Sequence, residues 1–406
     1  DRTFVSIFTG AGGLDLGLTA AGWTCRYASD VDATTVDTLK ANFGDRRTCH
    51  GARPSLVEQA DVRQLRGGDI LRRVGATRGE IPLMAGGPPC QSWSSAGHQR
   101  GLDDPRGRLF DDFVRIADEC GCRLLLFENV RGLLTARGED GEPGGALRLI
   151  REVMWNRGYR SSLELLNAAD FGVPQRRVRL YLVGFRDAPA PIFPEPTHAR
   201  EIDASLLTLK KQPWVPLSRV LLSDGELREE EWIRPSDSMA KRLQGLRPGQ
   251  GVKSQGKREA TRPGGHWGYM QGGFVADPTL PSRTITASPQ QDWILLPDGS
   301  YRRLCPRECA RIQSFPEYYR FAGKRAAVYR QIGNAVAPTM GEVLGHVLSE
   351  MLDHRGGADA PFDPHILPRH LESHVRYTAK EHARNGESRR NAPARRKVSQ
   401  GRGRKQ

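Results

Sequence analysis

Long apolar runs are missing from this sequence of 406 residues. No run approaches the roughly 18 apolar residues that a membrane span needs, and the strand-like residues 3–8 lack the charged-then-apolar plan of a signal peptide. The seven cysteines are odd in number and scattered, and their spacings are not those of a zinc site. These absences predict a cytoplasmic protein with reduced thiols and no disulfide framework, metal site or membrane partner.

Acidic residues are too few to balance the basic ones, which leaves a net charge of +14. An excess of this size predicts a polyanionic partner such as nucleic acid. Residues 380–406 contain ten Lys or Arg against two Glu, so this stretch alone carries +8. Its composition predicts a solvated, disordered extension over 355–406 that would still add salt-sensitive affinity for DNA.

The chain begins with a strand, a glycine turn and a helix, which is the ligand-binding pattern of doubly wound α/β folds. Glycines at 10, 12 and 13 follow the β-rich residues 3–8, and their amides would face a ligand at the start of the helix. Asp30 ends the second predicted strand, where an acid can bind a ribose diol. The alternative is that Asp30 caps the next helix, a role that is also open to Asp32. A third strand unit ends near Asp61.

A candidate nucleophile lies in Gly86-Gly87-Pro88-Pro89-Cys90-Gln91-Ser92. The apolar residues 81–85 predict a short buried strand, and the two prolines end it and stiffen the backbone just before Cys90. A cysteine on such a turn can act as a nucleophile if its thiol is activated, whereas many free cysteines only pack. The polar loop 92–101 follows and is predicted to be mobile. His98 in this loop could act as a general base, although a mobile loop is a poor platform.

Three charged residues further along the chain are candidates for the same site. Glu128 follows the apolar residues 123–127, and a carboxylate at the carboxyl end of a parallel strand lies on the ligand side of the sheet, although it could instead cap a helix. Arg177 and Arg179 open a strand over 178–183 and lie on one face of it. On a buried strand they need an acidic or phosphate partner, whereas on an edge strand they would be solvated.

The regular alternation of strand and helix stops at about residue 187, where several prolines mark a linker. Residues 241–273 carry seven Lys or Arg against one Glu, interleaved with glycine and aromatic residues. This composition is typical of a loop-built nucleic-acid surface, although a solvated basic loop has it too. We predict an α/β fold with a doubly wound Rossmann-like domain over 1–186 that is completed by 281–354, and a smaller irregular domain over 187–280.

Taken in order, these motifs resemble those of the cytosine-carbon-5 DNA methyltransferases. The matching segments are residues 8–13, 86–92, 128–130, 175–179, 281–287 and 329–338. The resemblance implies an S-adenosylmethionine-dependent methyltransferase domain and a target-recognition domain over 187–280. The residues that it places around the cofactor are Phe8, Gly10, Gly12, Gly13, Leu14, Asp30, Val31, Asp61, Val62, Pro88, Asn334, Ala335 and Val336.

The same resemblance implies a catalytic set in which Cys90 adds to carbon 6 of a flipped-out cytosine and Glu128 grips ring nitrogen 3. Arg179 would contact the base, and Arg177 would hold the phosphate and sugar of the flipped nucleotide. The residues expected to contact double-stranded DNA are Ser92, Ser94, His98, Arg100, Lys253, Lys257, Arg258, Arg262 and Arg283. The resemblance also implies a monomeric modification enzyme, with a cognate restriction endonuclease as a separately acting partner.

Two other functions remain open from the sequence. One branch of the same family methylates tRNA, but it carries a Cys-Phe-Thr element, and no cysteine occurs here between residues 123 and 304. The second is a DNA-binding protein that holds the cofactor without turnover. A degenerate site of that kind need not keep Cys90, Glu128 and Arg179 together.

Overall fold

The computed structural model describes residues 1–44, 55–89, 109–138, 141–200, 211–252, 272–354 and 362–376. Its main sheet consists of β1 (Thr3–Ile7), β2 (Thr24–Asp30), β3 (Leu56–Gln59), β4 (Leu83–Gly86), β5 (Leu124–Val130), β6 (Arg160–Asn167) and β7 (Val178–Phe185). The strand order is β3-β2-β1-β4-β5-β7-β6, in which β1 to β5 pair in parallel and the pairs β5–β7 and β7–β6 are antiparallel. This mostly parallel sheet confirms the predicted α/β, Rossmann-like fold.

Helices cover both faces of the sheet. The α-helices described up to residue 354 are α1 (Gly13–Ala20), α2 (Ala33–Phe43), α3 (Gly67–Val74), α4 (Leu109–Cys120), α5 (Gly145–Trp155), α6 (Asp237–Leu243), α7 (Pro306–Ile312), α8 (Arg325–Asn334) and α9 (Pro338–Asp353). Of these, α1, α2 and α9 cover one face of the sheet, and α3, α4 and α5 cover the other. Successive residues of β5 face opposite sides, so that Leu124 and Leu126 join the core under α1, α2 and α9, while Leu125 and Phe127 join the core under α3, α4 and α5. Burial on both faces explains why this strand is a continuous apolar run.

The end of the chain returns to the sheet that the start of the chain forms. Helix α9 packs so closely on α1 that a Cβ on Gly17 would lie 2.0 Å from the carbonyl oxygen of Pro338. Trp23 donates its indole hydrogen to the carbonyl oxygen of Gly345 over 2.9 Å. Glycine in this position of α1 is therefore required by the close approach of the two helices.

The smaller region contains α6 and four short strands, β8 (His198–Ala199), β9 (Gln212–Pro213), β10 (Trp293–Leu295) and β11 (Tyr301–Arg303). Its hydrophobic core does not stop at the predicted boundary of residue 280. Val275 and Leu243 form one cluster with Trp293 and Tyr301, which lie on the β10–β11 hairpin. The smaller region thus completes its hydrophobic core with residues after 281. The boundary predicted at residue 280 separates residues that pack in one cluster.

The predicted disordered extension over 355–406 is wrong for residues 362–376, which we call the C-terminal clasp. Residues 369–376 are helical, and the clasp packs on α5 and β6. Three buried side chains, Leu367, Leu371 and Val375, recur every four residues and form its apolar face. The prediction of disorder was based on the basic composition of residues 380–406, and it did not take the four-residue apolar spacing of the clasp into account. Among all the described residues, no helix is long and apolar enough to cross a membrane.

Candidate active site

The glycine loop between β1 and α1 has a backbone that few residues besides glycine adopt. Gly10 and Gly12 have positive φ angles of 56° and 73°, and the N-cap of α1 is Gly12. A Cβ on Gly13 would lie 2.1 Å from the carbonyl oxygen of Val336, whereas a Cβ on Gly10 would meet no atom within 4 Å. The loop is therefore closed by residues 335–336 on one side and open beside Gly10.

Asp30 lies at the carboxyl end of β2 and faces this loop. Its carboxylate accepts hydrogen bonds from the amides of Gly10 (2.9 Å) and Asp32 (3.0 Å). Burial raises the pKa of Asp30, and the bonds from these amides oppose the rise. Asp32, not Asp30, caps α2, because its side chain accepts a hydrogen bond from the amide of Thr35. The Asp30 carboxylate therefore helps to orient the glycine loop.

The neighbouring residues Val31, Asp61 and Val62 line the same edge of the sheet. Val31, which follows Asp30 directly, is 65% exposed. Asp61 follows β3, and its hydrogen bonds from the Arg63 guanidinium lower its pKa. Val62 is buried in the core beneath them. Asp30 thus ends β2, and Asp61 lies two residues past the adjacent strand β3, at the carboxyl edge of the sheet.

The turn that leads to Cys90 lies against the end of β5. Asn129 donates a hydrogen bond of 3.0 Å to the carbonyl oxygen of Pro88. A Cβ on Gly87 would lie 3.4 Å from Oε2 of Glu128, so one added methyl group would fill the space between the turn and this carboxylate. Cys90 itself lies outside the described residues. The last described residues before Cys90 therefore run beside Glu128.

Glu128 is buried, with 9% of the residue exposed, and it forms an ion pair with Arg179. Oε1 of Glu128 lies 3.2 Å from Nε of Arg179, which is on the adjacent strand β7. Burial raises the pKa of Glu128, and the positive charges of Arg179 and Arg177 oppose the rise. A carboxyl group with a raised pKa retains its proton at higher pH and can donate it in a hydrogen bond.

Arg177, for which the resemblance implies a contact with the flipped nucleotide, lies among backbone carbonyl oxygens. Only 3% of the residue is exposed, and its guanidinium donates to the carbonyl oxygens of Ile285 (3.2 Å), Gly333 (3.0 Å) and Ala335 (2.9 Å). Both terminal nitrogens of the guanidinium thus donate to backbone carbonyl oxygens. These hydrogen bonds connect the start of β7 to residues 333–335, next to the residues that close the glycine loop.

Two glutamines extend this network, and sequence reasoning missed one of them. Gln175 accepts a hydrogen bond from the amide of Ile285 and donates to Oε1 of Gln313, both over 2.8 Å. Gln313 in turn donates to the carbonyl oxygen of Ile332 over 2.7 Å. The signal that could have identified Gln313 is its position as a polar residue at the end of the otherwise apolar face of α7. These bonds place Asn334, which is exposed, at the edge of the glycine loop.

A second missed residue, Asp15, lies behind the glycine loop on the first turn of α1. Its Oδ1 accepts a hydrogen bond of 2.8 Å from Ser6, which in turn accepts one from Thr9. Complete burial raises the pKa of Asp15 to about 7. Leu14 beside it is part of the hydrophobic core, and Phe8 begins the loop with a positive φ of 55°. The loop is therefore supported from behind by a buried hydrogen-bond chain.

Of the residues expected to contact DNA, the structure describes Arg283. Its guanidinium lies 4.3 Å from the ring centroid of Phe274 and 3.5 Å from the carboxylate of Asp292. Arg283, Arg176 and Arg200 line a cavity of about 230 Å³ between the two regions of the chain. The other expected contacts lie outside the described residues, namely Ser92, Ser94, His98, Arg100, Lys253, Lys257, Arg258 and Arg262.

The chain was compared with known families and proteins. The family model described as C-5 cytosine-specific DNA methylase matches residues 2–350. The type II methyltransferase M.FnuDI of Fusobacterium nucleatum is 30% identical, over 86% of this chain and 94% of its own. M.SacI of Streptomyces achromogenes is also 30% identical, over 87% and 94% of the two chains. The crystal structure of a DNMT2 variant from Spodoptera frugiperda shares the fold, with a TM-score of 0.59 at 17% identity over 86% of this chain and all of its own.

Proposed function

Because the chain belongs to the C-5 cytosine-specific DNA methylase family and is a DNA (cytosine-5-)-methyltransferase, we propose that it methylates one cytosine of a specific double-stranded sequence, with S-adenosylmethionine as the methyl donor. The observation that carries the proposal is the buried ion pair of Glu128 with Arg179 beside the turn that leads to Cys90. A cysteine, a buried carboxyl group and an arginine are the three groups that this chemistry needs.

The cleft beside the glycine loop fits an adenosine-containing ligand. The space next to Gly10 is open, and Asp30 offers a carboxylate there for ribose hydroxyls. Val31 exposes an apolar side chain that suits an adenine ring, and Asp61 would accept from its amine. We assign the remaining contacts to Phe8, Gly12, Gly13, Leu14, Val62, Pro88, Asn334, Ala335 and Val336. S-adenosylmethionine supplies an electrophilic methyl group on a sulfonium.

The reaction needs a covalent step because carbon 5 of cytosine is a weak nucleophile. The thiolate of Cys90 would add to carbon 6 and the ring double bond would shift, which leaves an enamine with a nucleophilic carbon 5. The bound sulfonium would supply the methyl group to that carbon, with its S–CH3 bond broken and S-adenosylhomocysteine as the leaving group. Glu128 holds a proton at ring nitrogen 3 and neutralises the charge that develops there, while Arg179 stabilises charge at the ring carbonyl. Loss of the carbon-5 proton to a base and departure of the Cys90 thiolate restore the aromatic ring.

The target base has to leave the DNA stack, because both faces of its ring must be accessible. The Cys90 thiolate would approach carbon 6 from one face, and the methyl donor would approach carbon 5 from the other. Extrusion of a base costs a few kcal/mol, which contacts with the protein must supply. We propose that the loop after Cys90 fills the vacated space and that the basic residues 253–262 and Arg283 contact the duplex. Arg177 acts in this scheme as a positioning residue that joins β7 to the cofactor cleft.

The relatives are named type II methyltransferases, which favours a modification role for this chain as well. We propose a monomeric methylase of a restriction–modification system that protects sites from a separately acting endonuclease. A cytoplasmic location follows from this role, since the substrate is the DNA of the host cell. The recognised sequence would be selected by residues 187–280 together with the β10–β11 hairpin that shares their core.

Two experiments test this function. Incubation with methyl-labelled S-adenosylmethionine and duplex DNA should place label on carbon 5 of cytosine, and Cys90→Ser should abolish it. A duplex that carries 5-fluorocytosine at the target should form a stable adduct with the native chain, because the carbon-5 fluorine cannot leave as a proton does. Full labelling by Cys90→Ser would refute the covalent step. Better labelling of tRNA than of duplex DNA would refute the proposed substrate in favour of RNA.

A further inference from the structure

Tyr319 binds the glycine loop from the part of the chain that follows the smaller region. Its hydroxyl donates a hydrogen bond of 2.5 Å to the carbonyl oxygen of Ala11, which lies 308 residues earlier. A Cβ on Gly12 would lie 2.8 Å from the same hydroxyl oxygen, so a larger residue does not fit there without movement. Tyr319 therefore holds the loop next to the residue whose positive φ starts α1.

This hydrogen bond orients the peptide unit between Ala11 and Gly12. The carbonyl of Ala11 and the amide of Gly12 lie in one plane and point in opposite directions, because the peptide bond is trans. The carbonyl accepts from Tyr319, and the amide donates to the carbonyl oxygen of Thr9 over 3.1 Å. Both polar groups of the unit are thus bonded within the protein, which favours the positive-φ conformation that begins α1.

Asp30 holds the preceding residue of the loop by the opposite kind of bond. Its carboxylate accepts from the amide of Gly10 over 2.9 Å, whereas Tyr319 donates to the carbonyl oxygen of Ala11. Two side chains from distant parts of the chain therefore hold successive residues of the loop. A loop that already has its ligand-binding shape loses less conformational entropy on binding, which increases affinity.

The ring of Tyr319 is fixed by aromatic neighbours. Its centroid lies 4.9 Å from that of Phe315, 5.2 Å from that of Phe321 and 6.3 Å from that of Phe43. Burial raises the pKa of Tyr319, and the nearby carboxyl group of Asp15 raises it further. The hydroxyl therefore keeps its proton and remains a hydrogen-bond donor.

The backbone that follows Tyr319 is bonded to α2. The amide and the carbonyl oxygen of Arg320 form a pair of hydrogen bonds with the side chain of Asn42, over 3.1 and 2.8 Å. The amide of Ala322 donates to Oγ1 of Thr38 over 2.8 Å. These bonds fix the backbone that carries the ring, so the hydroxyl reaches the glycine loop from a rigid support.

We propose that Tyr319 is a positioning residue for S-adenosylmethionine, because its hydroxyl holds the glycine loop in the shape that binds this cofactor. The proposal rests on the proposed function, since it presumes that the cofactor occupies the cleft beside the loop. The groups assigned to the reaction itself, Cys90, Glu128 and Arg179, belong to or follow other strands, namely β4, β5 and β7. Tyr319 therefore affects cofactor affinity and not the chemical step.

The first test removes the hydroxyl and keeps the ring. Tyr319→Phe should raise the Kd for S-adenosylmethionine and for S-adenosylhomocysteine about threefold to tenfold, the effect of one lost hydrogen bond. Calorimetric titration without DNA measures this change, so the readout does not depend on turnover. Steady-state kinetics should show a raised KM for the cofactor and an unchanged kcat at saturating cofactor and DNA.

Tyr159→Phe is the matched control. Tyr159 is also buried, and its hydroxyl donates to a backbone carbonyl oxygen, that of Cys122, over 2.7 Å. Cys122 precedes β5, so this bond lies at the edge of the sheet opposite the cofactor cleft. Both variants should lose a similar free energy of unfolding in urea, but Tyr159→Phe should bind the cofactor as the native chain does. Equal Kd values in the two variants would overturn the proposal, because the Tyr319 hydroxyl would then act on stability alone.

A rescue experiment tests whether the donor itself matters. p-Aminophenylalanine at position 319 places an N–H donor on the same ring carbon and should recover most of the affinity that Tyr319→Phe loses. Failure to recover it would contradict the role of the hydrogen bond. If Tyr319→Phe does not fold, Asn42→Ala decides the matter, because it removes the two hydrogen bonds to Arg320 and leaves Tyr319 intact. Asn42→Ala should raise the Kd by a smaller factor, and native affinity in that chain would overturn the proposal.

Failure of this proposal differs from failure of the proposed function. If the native chain binds neither S-adenosylmethionine nor S-adenosylhomocysteine and transfers no label, the proposed function fails. If the native chain binds the cofactor and methylates DNA, but Tyr319→Phe has the native Kd, the role of Tyr319 alone is overturned. A lower kcat in Tyr319→Phe without a change in Kd would overturn it too, because a positioning residue for the cofactor acts on binding.

Discussion

Nε of Arg179 lies 3.2 Å from Oε1 of Glu128, and the ion pair bridges two adjacent strands, β5 and β7. Both side chains are largely buried at the edge of the sheet where the turn toward Cys90 begins. The pair fixes the rotamer of the carboxylate, so that a base entering the site meets an acid and a cation already oriented. Such preorganisation is the main source of electrostatic catalysis.

Replacement of Glu128 by Gln should lower kcat by about a hundredfold to a thousandfold, the usual loss when one oriented stabilising group is removed. The amide fits the same space but cannot hold an acidic proton at ring nitrogen 3. The raised pKa of Glu128 means that the active, protonated form persists to higher pH than for an ordinary glutamate, and activity falls as pH rises through it. Steady-state methyl transfer against pH should show this alkaline decline in the native chain and not in Glu128→Gln. If activity declines at the same pH in the native chain and in Glu128→Gln, Glu128 is not the group whose titration causes the decline.

Replacement of Arg177 by Met should destabilise the fold by about 3 kcal/mol, because three carbonyl oxygens lose a charged donor in a buried site. Urea unfolding measures the loss. Arg72→Met is the matched control, since Arg72 is exposed and forms a surface ion pair with Asp69. An Arg177→Met chain as stable as this control, but with weakened DNA binding, would favour the phosphate contact that the resemblance implied.

Replacement of Gly13 by Ala should destabilise the chain by about 2 kcal/mol or more and weaken cofactor binding about tenfold. The added methyl group would lie 2.1 Å from the carbonyl oxygen of Val336, so the segment that closes the cleft must move. Gly68→Ala in α3 is the control, because a Cβ there meets no atom within 4 Å and should stabilise the helix slightly. Thermal unfolding and calorimetric titration with S-adenosylmethionine measure both effects. Equal behaviour of the two variants would contradict the close contact at Gly13.

The stability of the chain should fall as pH rises from about 4 to about 7, in part because of Asp15. Burial raises its folded pKa from 3.8 to about 7, so between these values the unfolded chain binds fewer protons than the folded one. Asp15→Asn removes this term, which amounts to at most about 4 kcal/mol at about 1.4 kcal/mol per pH unit. Unfolding free energies of both chains at pH 5 and pH 8 test it, with Asp69→Asn as the exposed control. A difference between Asp15→Asn and the native chain that does not change with pH would contradict the buried, protonated acid.

The sequence by itself determined the elements whose pattern is local. The strand predicted over 178–183 is observed as Val178–Phe185, and the strand-like residues 3–8 contain Thr3–Ile7, since residue pattern and flanking turns fix such elements within a few positions. The alternation of β7 likewise placed Arg177 and Arg179 on one face. The ordered motifs also sufficed to identify the family, because they consist of chemically required residues.

Only the tertiary structure decided which neighbours these residues meet. Arg177 and Arg179 share a strand face, yet Arg177 meets carbonyls 108 to 158 residues away while Arg179 meets Glu128. No local period encodes a contact at that separation, because it depends on how the end of the chain packs against its beginning. The clasp and the core shared across residue 280 could not be predicted from the sequence for the same reason. Their apolar residues gain stability only from partners that the fold brings to them.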